Sequence, residues 1–336
     1  MGIFDVKVEE ILWHGEPAIS LAAGGYKALV LPEIGANLIS LSDETRQLEL
    51  LRCPKDANEL KQNPVIYGVP VLFPPNRIGN GVFETEEKVY HFPVNETDLN
   101  NHLHGFLHNV PWQVMDADVY GDQARVELAF SCNEKTVMFE YFPHKFEIRL
   151  QYTLSLKGLE QIIKIHNQGS EKMPLGLGFH TCFNIPFHPM GKADSYRLKV
   201  SVDKKVEYDK RYLPTGQLLG LNDFEKLYPE VGVIPQGELI SEYFTSRDMI
   251  VDGENFHGAI IEDLERKIRL VYKVDHHYKH WVLWNGSATE GFVCPEPQTW
   301  MVNAPNTKLP NDVTGFQLLE PYRVWEAATF IYVKEI

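Results

Sequence analysis

The chain contains 336 residues, 44% of them hydrophobic and 12% aromatic, which is enough apolar material for a large core in one domain or two. Its formal net charge is −14 and it has no run of lysines and arginines, so nucleic acid and anionic membrane surfaces are unsuitable partners. The composition excludes a disordered chain and predicts a globular protein.

The N-terminal segment, residues 1–13, carries charged residues where a secretory signal needs an apolar run. Val6 stands where an N-myristoylation motif needs Ser or Thr, and no stretch approaches membrane-spanning length. The four cysteines are Cys53, Cys132, Cys182 and Cys294, and no two of them have CxxC spacing. This argues against a disulfide framework and against a zinc knuckle. We therefore expect a protein of the reducing cytoplasm without a membrane partner.

Period-2 alternation of apolar and polar residues is the strongest local signal along the chain. It is clearest in residues 146–155, FEIRLQYTLS, and it recurs in residues 124–130 and 267–274, so each segment is predicted to be a half-buried strand. Helical spacing is confined to residues 45–60, where Pro54 interrupts it. At most a short helix or turn is expected there.

Many strands with hairpin-like turns, without a strand–helix–strand rhythm or a fixed repeat, favour antiparallel sheets packed face to face. No linker rich in Pro, Gly or Ser divides the sequence. We therefore predict an all-β protein, a large antiparallel β-sandwich, with residues 1–336 in a single domain.

Residues 64–83, PVIYGVPVLFPPNRIGNGVF, place Asn76 and Arg77 after a run of prolines and apolar residues. A guanidinium presented from such a stiff turn could form paired hydrogen bonds with two hydroxyls. A surface arginine that closes an ion pair is the alternative interpretation.

Three histidines occur within the short segment NHLHGFLHN. In a strand, His102 and His104 would project to the same face, and Gly105 would let a ligand or backbone approach closely. HxH spacing occurs in the metal sites of small β-barrels, where a carboxylate follows; here His108 and Asn109 stand in its place. A three-histidine metal site is therefore one alternative.

His180 lies in the segment GLGFHTCFNIPF, between glycines and aromatic residues. An imidazole held by apolar neighbours suits a proton donor, because histidine titrates closer to physiological pH than any other side chain. A histidine packed in the core is the alternative, so a catalytic interpretation of His180 requires partners.

Two acidic residues are candidate partners. Glu296 stands between Pro295 and Pro297 with Trp300 close by, so rigid backbone and apolar neighbours would hold a carboxylate that can act as a base. A solvated loop glutamate is the alternative. Asp252 lies in VDGENF, which fits a simple turn equally well.

These segments together resemble the aldose 1-epimerases, or galactose mutarotase-like proteins. The resemblance extends over nearly the whole chain and rests on the order and rough spacing of several short motifs: GYKALVLPEIGANLISL, YGVPVLFPPNRIGNGVF, LHGF, FEIRLQYTLS, HNQGSEKMPLGLGFHTCFN, LPTG, VCPEP and NAPN. The family fold that it implies is a large antiparallel β-sandwich with its site on a concave sheet face. This fold agrees with the strand pattern.

The resemblance implies a mutarotase that interconverts the α and β anomers of a free hexose, with a small-molecule sugar as its partner and no cofactor or metal. By position in the matching motifs, His180 is the expected general acid and Glu296 the expected general base. The expected substrate-binding groups are Asn76, Arg77, His104 and, more loosely, Asp252. The chain is expected to act as a monomer or a homodimer.

Three departures from the family pattern leave the identity of the sugar open. The family's LHGG is LHGF here, its Glu-Thr-Gln run is replaced by Glu296, Pro297 and Gln298, and its PGE is missing near the C-terminus. The spacing of Asp252 from Phe256 is also one residue longer than the motif.

Two other functions stay open within this fold. A hexose-6-phosphate mutarotase would need further cationic groups for the phosphate, and only Arg46 and Arg52, upstream of Arg77, could fold nearby. A non-catalytic carbohydrate-binding protein is the second alternative, because a fold does not guarantee an activity.

For the expected acid and base, burial should raise the pKa of Glu296 and lower that of His180.

Overall fold

A computed structural model of the protein describes residues 5–336; residues 1–4, which begin the segment predicted to lack a targeting signal, lie outside the described range. The strands of the first half are β1 (Lys7–Trp13), β2 (Glu16–Ala23), β3 (Tyr26–Leu31), β4 (Asn37–Asp43), β5 (Leu48–Glu49), β6 (Val71–Leu72), β7 (Arg77–Gly79), β8 (Val82–Glu84), β9 (Val89–His91), β10 (Asn101–Leu103), β11 (Gln113–Tyr120), β12 (Gln123–Cys132), β13 (Phe146–Ser155) and β14 (Gly158–Asn167).

The strands of the second half are β15 (Met173–Leu175), β16 (Gly178–Phe179), β17 (Phe183–Asn184), β18 (Tyr196–Val200), β19 (Val202–Tyr208), β20 (Pro214–Gly220), β21 (Ser241–Ser246), β22 (Met249–Val251), β23 (Glu254–Phe256), β24 (Gly258–Asp263), β25 (Ile268–Val274), β26 (His280–Trp284), β27 (Phe292–Gln298), β28 (Gln317–Leu319) and β29 (Val324–Glu335). The α-helices are α1 (Ala57–Gln62), α2 (Val137–Tyr141) and α3 (Asn311–Thr314), and the 3-10 turns are Thr97–Leu99, Ala193–Ser195, Glu225–Leu227 and Ala304–Asn306. None of the helices between residues 5 and 336 has the length and apolar character needed to cross a membrane.

Three antiparallel sheets form most of the molecule. The first has the order β1-β2-β3-β4-β5, and the second has the order β11-β12-β13-β14-β29-β25-β24-β18. The third has the order β20-β19-β21-β26-β27-β16-β6, and β17 also pairs with β27. This architecture confirms the predicted all-β fold with antiparallel sheets.

The alternating sequence of β13 shows how the core is built. Its apolar residues Phe146, Ile148, Leu150, Tyr152 and Leu154 are fully buried, as the period-2 pattern predicts. The other two predicted strands are also confirmed, because residues 124–130 lie within β12 and residues 268–274 form β25. Apolar faces from all three sheets meet in one continuous cluster of buried side chains.

Hydrogen bonds of side-chain hydroxyls tie connections of the first and third sheets to the second sheet. The hydroxyl of Tyr152 in β13 donates to the carbonyl of Ala36, which lies between β3 and β4, at 3.1 Å. On the other side, the hydroxyls of Thr181 and Tyr272 lie 3.0 Å apart and join the segment after β16 to β25. His180, the neighbour of Thr181 in the chain, is thereby held next to the second sheet.

A short helix, α1, begins after Pro54; it overlaps the end of the segment 45–60, where the sequence shows helical spacing, and extends two residues beyond that segment. Asp56 caps it, because its carboxylate accepts a hydrogen bond from the N–H of Glu59 at 2.9 Å. The helix has only six residues, so it is a local feature on an otherwise β structure.

We expect Gly176→Ala to destabilise the fold, because Gly176 precedes β16 and packs against the residue Trp300 that follows β27. A Cβ at Gly176 would lie 2.3 Å from the buried indole of Trp300, whose ring cannot move without disturbing the core. The expected loss is about 1–3 kcal/mol in the free energy of unfolding, measured by guanidinium denaturation. Gly220→Ala is the matched control, since open space surrounds Gly220; equal stability of the two variants would contradict this packing.

Candidate active site

Two ionisable side chains meet on the wall of a cavity. His180 follows β16, and Glu296 lies in the middle of β27. The Nε2 atom of His180 lies 3.3 Å from Oε1 of Glu296, and the two residues are only 4% and 2% exposed. The structure thus brings together the two residues that the sequence predicts as acid and base.

The pairing of β27 explains how Glu296 can stand between two prolines in a central strand. On one side, β27 is in continuous register with β26 from Cys294 to Gln298. On the other side, it pairs with β17 at Val293 and with β16 at Gln298, and no pairing joins it to those strands between these points. Proline lacks an N–H and is tolerated where the ladder is interrupted. His180 lies in the segment between β16 and β17, opposite this interruption.

Cys182 lies behind the imidazole of His180. Its Sγ atom is 3.5 Å from Nδ1 of His180 and 2.9 Å from Sγ of Cys294. The three donor atoms lie within 4.8 Å of one another, as in a metal site. Two thiolates about 2.3 Å from one tetrahedral ion would be about 3.7 Å apart, however, which is further than these sulfurs. We therefore interpret Cys182 as a hydrogen-bonding neighbour that orients the ring.

Burial and mutual attraction set the protonation of the pair. Burial raises the pKa of Glu296 to about 7, although the charge of His180 opposes this shift. Burial alone would lower the pKa of His180, but the negative charge of Glu296 and the contact with Cys182 outweigh it and raise the pKa to about 9. The expected effect of burial on the pKa is found at both residues, but at His180 the adjacent negative charge outweighs it and the net shift is upward.

One face of the third sheet forms the wall beside this pair. Glu296 in β27 is in register with Val282 in β26, and Val282 is in register with Tyr243 in β21. Trp284, two residues beyond Val282, therefore projects to the same face, and its ring centroid lies 5.6 Å from that of His180. Aromatic and apolar side chains thus exclude water from the imidazole.

Arg77, the first residue of β7, also lines this cavity. Its Nε and Nη2 donate to the carboxylate of Glu96, with distances of 2.9 Å to Oε2 and 2.7 Å to Oε1, and its Nη1 donates to the hydroxyl of Tyr243 at 2.7 Å. A further contact of 3.4 Å joins Nη1 to Oδ1 of Asn76. Of the five N–H groups of an arginine, one on Nη2 is left for a ligand. The predicted fork toward two hydroxyls is therefore occupied by the protein itself.

His104 also lines the cavity beside the pair, with its ring centroid 5.3 Å from that of His180. β10 ends at Leu103, and His104 has a φ of 66°, so the alternation of a strand stops there. His102 instead packs against Phe92, 5.0 Å away. The expectation that His102 and His104 share a face is wrong, because the left-handed backbone turns His104 toward the cavity.

The turn that contains His104 is held by close backbone contacts. The N–H of His104 donates to the carbonyl of Asn76 at 2.9 Å. Gly105 has a φ of 69°, and there is no space for a side chain, because a Cβ would lie only 2.2 Å from the carbonyl oxygen of Phe73. The predicted close approach at Gly105 is confirmed. Within residues 5–336, the three histidines of this segment do not form a group of donor atoms close enough for one metal ion.

Asp252 lies away from the cavity. It occupies the turn between β22 and β23 with a φ of 54°, and its carboxylate accepts hydrogen bonds of 2.7 Å from both Arg269 and Lys334. The structure does not bring Asp252 to the site, so its predicted role as a sugar-binding acid is corrected to that of a turn residue in a surface ion-pair network.

The cavity has a volume of about 350 Å³, near the lower end of the range for small-molecule sites. Five of the six predicted site residues line it: Asn76, Arg77, His104, His180 and Glu296. Its walls also include side chains that sequence reasoning missed, among them Glu96, Tyr212, Tyr243 and Trp284. Each of these stands alone in an ordinary strand or loop sequence, so no motif marks it.

The fold and cavity together define a β-sandwich protein with a buried acid–base pair suited to a small polar ligand. Residues 17–331 match the family model described as aldose 1-epimerase. The chain belongs to the aldose 1-epimerase family, as its motifs predict.

A solved structure of a galactose mutarotase-like protein from Clostridium acetobutylicum is 39% identical to the chain, with a TM-score of 0.96 and 99% of each chain covered. The human galactose mutarotase is 24% identical over 157 residues, which cover 47% of this chain and 43% of that protein. The uncharacterized protein YihR of Escherichia coli (strain K12) is 26% identical over 201 residues, or 59% of either chain. The chain spans about half the length of these two curated relatives.

We expect Glu296→Gln to lower the pKa of His180 from about 9 to below the ordinary value of about 6.5, because the attracting charge is lost while burial remains. Histidine side-chain NMR titration measures this shift, and the spectrum of His180→Asn identifies the resonance. A pKa that stays near the parental value in Glu296→Gln would show that another group holds the proton on His180.

Proposed function

We propose that the protein is an aldose 1-epimerase that interconverts the α and β anomers of a free hexose. The observation that carries the proposal is the buried contact between His180 and Glu296 on the wall of a cavity large enough for one sugar ring. Membership of the aldose 1-epimerase family supports it. The similarity to proteins named galactose mutarotase supports the same class of reaction.

Ring opening needs a base and an acid at neighbouring oxygens of the sugar. Ionised Glu296 removes the proton from the anomeric hydroxyl, while protonated His180 donates its Nε2 proton to the ring oxygen. The bond between the anomeric carbon and the ring oxygen breaks, and the open-chain aldehyde forms. Because both sugar oxygens are attached to the same carbon, two groups as close as His180 and Glu296 can serve them together.

Ring closure reverses the proton transfers. After rotation about the bond from C1 to C2, the former ring oxygen attacks the other face of the carbonyl. Neutral His180 takes the proton of that hydroxyl, and protonated Glu296 returns its proton to the carbonyl oxygen. Both residues end the cycle in their starting protonation states, so the reaction consumes nothing but the substrate anomer.

The charges around the cavity favour a neutral sugar over a sugar phosphate. Among residues 5–336, Arg77 is the only arginine or lysine that lines the cavity, and the carboxylate of Glu96 already neutralises its charge. Arg46 instead bonds Asp43 at 2.7 Å, and Arg52 stacks on Phe292 at 3.8 Å outside the cavity lining. A phosphate group needs cationic donors that are free to bind it. We therefore assign the remaining N–H of Arg77, together with Asn76 and His104, to sugar hydroxyls.

We expect the purified protein to accelerate the change in optical rotation of a fresh solution of one hexose anomer, and to act more slowly on hexose 6-phosphates. Glu296→Gln and His180→Asn should each reduce the rate by at least about two orders of magnitude, because each removes a proton-transfer group while keeping its size. Polarimetry with a panel of free and phosphorylated sugars measures both effects.

Asp252→Asn is the control for these variants, because its carboxylate lies outside the cavity. It should retain the parental rate. Sugar binding without any acceleration by the parent protein would instead identify a non-catalytic carbohydrate-binding protein. Near-parental turnover of Glu296→Gln would remove the carboxylate from the mechanism.

The pH dependence of kcat/KM should be bell-shaped with a maximum near pH 8. The productive enzyme has Glu296 ionised and His180 protonated, so activity rises as pH passes about 7 and falls as it passes about 9. Because His180 and Glu296 interact strongly, the two pKa values that the pH profile reports are those of the coupled pair and not of either residue alone. Unperturbed groups would place them near about 4.3 and about 6.5, so an optimum between those values would contradict the electrostatic effect of burial and pairing.

A further inference from the structure

Outside the cavity, three potential metal ligands converge on the protein surface. They come from separate connections: Asp248 from the link between β21 and β22, His257 from the link between β23 and β24, and His276 from the turn between β25 and β26. The Oδ1, Nδ1 or Nε2 atoms that they offer lie within 4.8 Å of one another. They line a second depression of about 350 Å³ and have no part in the proposed mutarotase site.

The hydrogen bonds of His257 fix which of its nitrogens can bind an ion. Nε2 lies 2.9 Å from the carbonyl oxygen of Tyr278, which can only accept, so Nε2 carries a hydrogen. Nδ1 then presents its lone pair to Oδ1 of Asp248, 3.0 Å away. A lone pair facing a carboxylate oxygen is unfavourable unless a proton or a metal cation lies between them. Metal-bound histidines commonly donate their other N–H to a backbone carbonyl in this way.

The position of His276 favours the metal cation over the proton. A proton on Nδ1 of His257 would satisfy Asp248 without a third group, yet Nδ1 of His276 also lies 3.6 Å from the same oxygen of Asp248. Two ligands about 2.0–2.1 Å from one tetrahedral ion are about 3.3 Å apart. The two observed separations, 3.0 and 3.6 Å, lie on either side of that value.

Backbone hydrogen bonds fix the three connections that carry these ligands. Arg247, next to Asp248, donates its N–H to the carbonyl of Ser201 at 3.1 Å, and the carbonyl of His257 accepts from the N–H of Val274 at 3.1 Å. The turn that carries His276 is closed by the N–H of Tyr278, which donates to Asp275 at 3.2 Å. The backbone therefore loses little conformational entropy when an ion binds, and it is mainly the side chains that must become ordered.

We propose that Asp248, His257 and His276 bind a divalent transition-metal cation of the Zn²⁺ class, with water in the fourth position. Two imidazoles and one carboxylate are the ligand set that suits such an ion. Arg247 and Asp203, which share the depression, neutralise each other in a salt bridge and leave the carboxylate of Asp248 to the ion. The bound ion would add a shared ligand to three connections that are already joined by the hydrogen bonds of His257 to Asp248 and to the carbonyl of Tyr278.

Isothermal titration of the full-length, chelator-stripped protein with ZnCl₂ tests this site. We expect one Zn²⁺ per chain, with affinity at least about tenfold weaker in Asp248→Asn and in His276→Ala. His277→Ala, an exposed histidine of the same turn, is the matched control and should bind as the parent does. Zn²⁺ should also raise the unfolding temperature of the parent more than that of His276→Ala.

A second probe distinguishes this site from the two cysteines near the cavity. Co²⁺ bound by nitrogen and oxygen ligands gives a visible spectrum without the intense charge-transfer band of cobalt thiolates, and this spectrum should persist in Cys294→Ser. Absence of Zn²⁺ binding to the parent, or equal binding by the parent, Asp248→Asn and His276→Ala, would overturn the proposal. Neither measurement depends on sugar turnover, so a negative result for the metal site would not contradict the proposed mutarotase activity.

Discussion

The direct contact between His180 and Glu296 inside the protein is the interaction on which the proposed chemistry depends. Placing a carboxylate in a dry site makes it a stronger base, and placing its charge next to an imidazole keeps that imidazole protonated. Neither effect works alone, since a buried histidine without the carboxylate would lose its proton and could not act as the acid. Burial and pairing together produce an acid and a base at one pH.

The rest of the site can be understood as the support of this pair. β26 holds Glu296 in continuous register, and the interrupted pairing on its other side leaves the opening that His180 fills. Cys182 orients the back of the ring, and Trp284 covers its side. Removing either member of a buried ion pair leaves an uncompensated charge, which typically destabilises a protein by about 3–5 kcal/mol. Replacements that keep hydrogen bonding are therefore the informative ones.

Sequence patterns predict the parts of this structure that repeat or stand in motifs. The alternation in β13 identifies its buried face, and the family motifs locate His180, Glu296 and Arg77. The alternation rule fails at His104, where one left-handed residue redirects the side chain, and such a change leaves no periodic trace. Partners such as Glu96, 19 positions from Arg77, are set by how the loops fold together and are invisible to local patterns.

The occupied guanidinium of Arg77 has a consequence for recognition. Its charge is already balanced by Glu96, so the proposed substrate would gain a single hydrogen bond there and no new ion pair. In the proposed reaction, a neutral sugar must also replace the direct contact between His180 and Glu296 when it enters. The anomeric hydroxyl can donate to the carboxylate while the ring oxygen accepts from the imidazolium, so the sugar satisfies both groups that it separates. A ligand without this adjacent donor and acceptor would leave one buried charge unpaired, so under the proposed mechanism the acid–base pair itself would select cyclic hemiacetals.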